Sequence, residues 1–150
     1  MKPLSDRELD LLRRARRAVL ATIAADGAPR LVPITFVFEN DVIYTALDEK
    51  PKRVTDPRDL ARVRDIAQGS RVAVLVDAWD EDWTQLGWLR LSGSARLIGP
   101  DDESAPEHAD AVRLLRAKYV QYADHALETR PVIRIAVERA SSWFATPSAP

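Results

Sequence analysis

Between residues 18 and 47 the chain alternates three apolar runs with two short polar turns, and that punctuation constrains the fold more than any other feature. The runs are 18–24 (AVLATIA), 31–38 (LVPITFVF) and 42–47 (VIYTAL); the turns are Asp26-Gly27 and Glu39-Asn40-Asp41. Runs rich in β-branched and aromatic residues, broken by such turns, predict an antiparallel meander. Pro33 lies inside the second run. It has no N–H for a ladder, so that strand is expected at a sheet edge, or bent as at a barrel corner.

Helical signals surround this meander. Ser5-Asp6-Arg7-Glu8 reads as a capping box opening a helix to about Arg17, with Leu4, Leu9, Leu12 and Ala15 as its apolar stripe. Asp56-Pro57 predicts a second helix start, with Pro at the first helical position, running to about Gln68 and stopped by Gly69. Two further strands follow, at 71–77 (RVAVLVD) and 88–98 (WLRLSGSARLI), with a Trp-containing acidic loop between them. Residues 100–107 read as an acidic linker, 109–122 as a helix and 131–137 (PVIRIAV) as a last strand before SSWF and a Pro-rich tail. Six strands with two or three helices in antiparallel order predict a mainly β, α+β chain: a β-barrel with helices at its ends. At 150 residues and 16.8 kDa, the expectation is a single domain, 1–150.

Chemistry is constrained by what is absent. The sequence has no Cys and only two His, His108 and His125, which excludes thiolate sites and leaves little for a metal cage or a His-based triad. Both His are expected at the surface. There is no P-loop, G-x-G-x-x-G, G-x-S-x-G or H-E-x-x-H motif. A net charge of -1 argues against a nucleic-acid or anionic-membrane partner, and no run of about 18 apolar residues or signal-like start is present. The expectation is a soluble cytoplasmic protein. The acids at 80–82 and 101–103 read as solvated loop residues, so any enzymatic chemistry would come from a cofactor.

One segment points to a ligand. Tyr44-Thr45, at the end of a strand, is followed by Lys50, Lys52 and Arg53 just before the predicted helix start. Cations beside the N–H groups of a helix start suit a phosphate, with Thr45 as a hydroxyl donor; the same run also reads as a solvated basic loop.

The ordered set AVLATIAADGAPRLVPITFVFENDVIYTALDEKPKR, then a helix, RVAVLVD and WLRLSGSARLI resembles the split-barrel flavin family of pyridoxamine 5'-phosphate oxidase. Within it, the KPKR and EDW features are most similar to the branch using the deazaflavin coenzyme F-420. The resemblance implies an antiparallel split barrel of FMN-binding type and a homodimer with the cofactor at the subunit interface. It places backbone of Pro33, Ile34, Thr35 and Phe36 along the ring, and Tyr44, Thr45, Lys50, Lys52 and Arg53 at the phosphate. It would bring Trp79, Trp83 or Trp88 to the site from the partner chain, although ordinary core or dimer packing is the favoured reading of these Trp. Arg58, Arg62 and Arg64 would face a phosphate or an oligoglutamate tail, or solvent. The chain lacks the Arg-bearing C-terminal substrate motif of the vitamin B6 oxidases, which disfavours that activity. The implied function is F-420-dependent hydride transfer to or from a small organic substrate. The alternatives are an FMN-dependent oxidase or reductase and a non-catalytic flavin- or tetrapyrrole-binding protein.

Overall fold

A computed structural model describes residues 1–47 and 60–147. Ser5 opens α1 (Asp6–Arg14) through the expected capping box: its hydroxyl accepts from the Glu8 N–H at 3.2 Å, and the Glu8 carboxylate accepts from the Ser5 N–H at 2.8 Å. The helix sends Leu12 into the core with Leu4, Leu11 and Ala15 beside it. Burying one leucine stabilises by about 1.5–3 kcal/mol. It stops at Arg14 rather than Arg17, because Ala15 is already extended (φ −64°, ψ 131°) and leads into the first strand.

Seven strands follow: β1 (Ala18–Ile23), β2 (Pro29–Ile34), β3 (Val37–Glu39), β4 (Val42–Ala46), β5 (Arg71–Ala78), β6 (Gly87–Ile98) and β7 (Val132–Phe144). They form one antiparallel sheet in the order β2-β1-β5-β6-β7-β4-β3. Asn40 (φ 50°) and Asp41 (φ 62°) make the two-residue β3–β4 turn, where positive φ matches the twist of a hairpin. Gly27 (φ 85°) serves the β1–β2 turn.

The run 31–38 is not one strand. Its first part belongs to β2 at one sheet edge and its last part to β3 at the other. Only Thr35 and Phe36 separate them, and three Cα steps reach about 11 Å at most, roughly two strand spacings. The edges must therefore come together, and the sheet curls into a split barrel. Pro33 sits on edge strand β2, opposite Val19, where its missing N–H costs no interior ladder bond.

Inward-facing residues fill the barrel, with Leu20, Phe36, Ile43, Val74, Val76, Leu89 and Ile133 fully buried. A second core lies outside it, where α3 (Ala105–Lys118) packs Ala111, Val112 and Leu115 over Tyr44, Ala46, Ile98 and Val132. This helix begins at Ala105 rather than Ala109, because Pro106 fits its first turn, and the expected linker is partly helical. It ends at Lys118, since Tyr119 turns out of helical geometry (φ −121°, ψ 104°) into a 3-10 turn, Val120–Asp124. His108, expected at the surface, is 2% exposed, with Nε2 2.7 Å from the Arg130 carbonyl. Helix α2 (Ala61–Gln68) ends before Gly69 as expected, but it starts at Ala61 rather than Pro57, because Leu60 is extended (φ −62°, ψ 141°); Asp56 and Pro57 themselves lie outside the described residues.

Strand β7 continues to Phe144 instead of stopping at Val137. The polar residues 138–142 hide this half, because it stays solvent-facing while pairing with β6. The pairing slips between Ser92 and Gly93, leaving Glu138 as an extra, bulged residue. A Cβ at Gly93 would lie 1.8 Å from the Ala136 carbonyl oxygen, so only glycine permits this approach. Among the described residues no helix is long and apolar enough to cross a membrane.

Candidate functional site

The crossover between β2 and β3 is held from outside by two tyrosines. The Tyr119 hydroxyl accepts from the Phe36 N–H at 3.0 Å, and its own hydrogen is shared between the Phe36 and Arg16 carbonyls, each 3.1 Å away. Burial pushes this phenol up from its ordinary pKa, keeping it a neutral donor. The Tyr122 hydroxyl lies 2.5 Å from Thr35 Oγ1. Phe36 therefore plugs the barrel while Thr35, its neighbour, faces outward. Around Thr35 opens a cavity of about 320 Å³, lined by Arg16, Tyr119, Gln121, Tyr122 and His125.

A local rule aligns these side chains. Tyr119, Tyr122 and His125 are three apart, and in a 3-10 turn residues at that spacing eclipse. Their rings follow edge to face, with centroids 5.7 Å apart for Tyr119–Tyr122 and 5.3 Å for Tyr122–His125. The Arg16 guanidinium covers the Tyr119 ring at 4.6 Å. The pocket thus joins flat apolar walls to one cation, a hydroxyl pair and an imidazole. Sequence reading missed all of this lining except Thr35; the Y-x-x-Y-x-x-H spacing was the available signal.

The predicted ring-binding residues are contiguous but face different ways. Pro33 is exposed on β2, Ile34 and Phe36 are buried, and Thr35 alone lines the cavity. Pro33 has no N–H, and that of Phe36 is taken by Tyr119. Tyr44 and Thr45 diverge as strand neighbours must. Thr45 is buried, whereas Tyr44 turns toward α3 and donates to Glu107 Oε1 at 2.7 Å. Burial and that bond push the Tyr44 phenol up to about 12. The same oxygen accepts from Arg134 Nε at 2.6 Å, so the Tyr44 hydroxyl is committed to joining α3 to the sheet. Lys50, Lys52 and Arg53 lie outside the described residues.

Trp79 and Trp83 are 66% and 67% exposed, on the loop between β5 and β6. Trp79 also walls a second, apolar cleft of about 420 Å³ with Leu75, Leu86, Trp88 and Trp143. Trp88 and Trp143 are cross-strand partners on the outer face of β6 and β7. Leu75 and Trp143, 41% and 48% exposed, continue this face. Trp83 does not line this cleft; it opens a short 3-10 turn (Trp83–Gln85) capped by Asp82.

A charged cluster fixes α2 to the barrel. Asp65, 4% exposed, accepts from the Thr22 hydroxyl at 2.7 Å and from Arg30 Nε at 2.8 Å. Burial alone would raise its carboxyl, but the Arg30 and Thr22 bonds hold it below the usual carboxylate range. Asp65 thereby locks the helix that follows the basic segment against the β1–β2 hairpin.

The profile of the family described as pyridoxamine 5'-phosphate oxidase matches residues 4–144, nearly the whole chain. The chain belongs to that family. Its seven-stranded antiparallel sheet and three helices are the family's flavin-binding split barrel. No curated protein sequence matches the chain. Among solved structures, the conserved hypothetical protein Rv2991 of Mycobacterium tuberculosis is similar at 19% identity and a TM-score of 0.73, covering 99% of this chain and 92% of that one. An F-420 reductase is similar at 21% identity and a TM-score of 0.65, covering 92% and 98%. HutZ, the heme storage protein of Vibrio cholerae, has 14% identity and a TM-score of 0.69, covering 93% of each chain. At these identities the likeness is one of fold.

Proposed function

We propose that this protein is an oxidoreductase that uses coenzyme F-420 to pass a hydride to or from a small organic substrate. The carrying observation is the cavity beside Thr35, at the crossover that would lie along the cofactor ring if the resemblance extends to the contacts. Its residues fit a flat, partly polar ring: Tyr119 and Tyr122 supply apolar surface, and Thr35 and His125 supply hydrogen-bonding groups. Bound there, the deazaflavin would supply the hydride chemistry. The chain's part is orientation and exclusion of water. Lys50, Lys52 and Arg53, by sequence, would neutralise the phosphate, and the apolar outer face of β5–β7 would meet a second copy of the chain.

The test is a fluorescence titration with F-420 beside an absorbance titration with FMN. Removing one member of a desolvated charge pair costs about 2–5 kcal/mol, so Lys52→Ala should weaken F-420 binding by roughly 30-fold or more. Thr35→Val should weaken it by more than the modest fall in melting temperature expected from losing the hydrogen bond to Tyr122. Tighter binding of FMN would move the protein to an FMN-dependent reaction, and binding of neither would overturn the oxidoreductase reading.

A further inference from the structure

A second cavity of about 320 Å³ lies between α1, the β3–β4 hairpin and the end of α3, and shares no lining residue with the one beside Thr35. Leu9, Leu12 and Arg13 reach it together, because residues three and four apart share one helix face. Val37 and Phe38 extend the apolar wall, while Glu39 and Asn40 line it at the hairpin turn. Lys118 completes the lining from the last position of α3.

The surroundings of Lys118 suit an ammonium ion. Its amine lies 4.0 Å from the centroid of the Phe36 ring and 5.5 Å from that of Tyr119, and donates to the Leu12 carbonyl at 3.2 Å. An ammonium has three donors, and this carbonyl takes one. Burial and the Arg16 cation lower the amine to about 8, so it carries its charge at about pH 6.5. Among the described residues, Arg13, Glu39 and Lys118 make no ion pair with one another or with any other side chain. One cavity therefore presents both signs of charge, held apart, beside an apolar wall.

We propose that this cavity is a binding site for α-amino acids with an aliphatic side chain. Such a molecule presents a carboxylate, an ammonium group and an alkyl chain on one carbon. Lys118 and Arg13 take the carboxylate, Glu39 takes the ammonium group, and the leucines with Val37 cover the alkyl chain. Asn40, with both a donor and an acceptor, serves either charged group. A fatty acid would set its carboxylate beside Glu39 with nothing for Glu39 to hold, and an alkylamine would meet two cations. Only the zwitterion satisfies both signs.

The test is calorimetric titration of the intact protein without cofactor at about pH 6.5, so its outcome is independent of the function proposed above. Three probes share one alkyl chain and differ in charge: L-leucine, 4-methylpentanoate, which lacks the ammonium group, and 3-methylbutylamine, which lacks the carboxylate. Leucine should bind with a Kd of about 1 mM or tighter, and at least about tenfold more tightly than either other probe. Glu39→Gln should weaken leucine by about tenfold and leave 4-methylpentanoate no weaker. Arg13→Gln should weaken leucine and leave 3-methylbutylamine no weaker. Both residues are exposed, so both variants should melt with the wild type. If either does not fold, the three probes on the wild type decide. Equal binding of leucine and 4-methylpentanoate, unchanged leucine binding in Glu39→Gln, or no leucine binding up to about 10 mM would overturn the proposal.

Discussion

Tyr119 satisfies both backbone polar groups of Phe36, the N–H at 3.0 Å and the carbonyl at 3.1 Å, although 83 residues separate them in sequence. One phenol does for the crossover what a neighbouring strand would otherwise do. Tyr119→Phe keeps the ring and removes the oxygen, leaving both groups buried without their partner. The expected cost is about 1–3 kcal/mol, read as a lower urea midpoint with an unchanged slope. A variant as stable as the wild type would show that the crossover needs no such tie.

Asp65 carries a pH signature. Its folded carboxyl is held low, so its contribution is present above the unfolded value near 3.9 and fades as pH falls through the lower folded value. Asp65→Asn should cost about 1–3 kcal/mol between pH 5 and 8, with the gap to wild type narrowing below about pH 4. Chemical denaturation across that range checks it. A gap independent of pH would mean that the loss is steric rather than ionic.

Gly93 admits no substitute. In Gly93→Ala the new methyl would meet the Ala136 backbone, which cannot yield as a side-chain tip can. Destabilisation above about 3 kcal/mol, or failure to fold, is expected, whereas Gly99→Ala, with open space at its Cβ, should be nearly neutral.

The outer face offers a test of assembly. If Leu75 and Trp143 meet a second copy, sedimentation should give about twice 16.8 kDa, and Leu75→Arg with Trp143→Glu should give the single mass with helical and sheet signals intact. Trp83→Ala, at a position 67% exposed, should change stability by less than about 0.5 kcal/mol. A wild type that sediments as a monomer would remove the face from the assembly reading.

The sequence made the local elements legible where punctuation was chemical. Ser5 with Glu8, Gly27 and Asn40-Asp41 each sit where their backbone preferences require. The two halves of 31–38 could not be separated, because both are apolar and extended and differ only in which distant strand each meets. The polar half of β7 was hidden for the opposite reason: its pairing is through backbone, which leaves no mark on side-chain pattern. At the candidate site, Thr35 was found through the family resemblance. Tyr119 and Tyr122 were missed because a span of more than 80 residues separates them from Thr35.

The seven-stranded sheet starts and finishes on strands that are neighbours in the chain, with two residues between them. An edge strand ordinarily offers its unpaired amides and carbonyls to any passing chain. Here the two-residue tether keeps the edges near one another, so lengthening it would loosen a constraint that hides both at once. Residues inserted between Thr35 and Phe36 would cost little in chain entropy, yet they would let the two edges move apart and leave each a better template for aggregation.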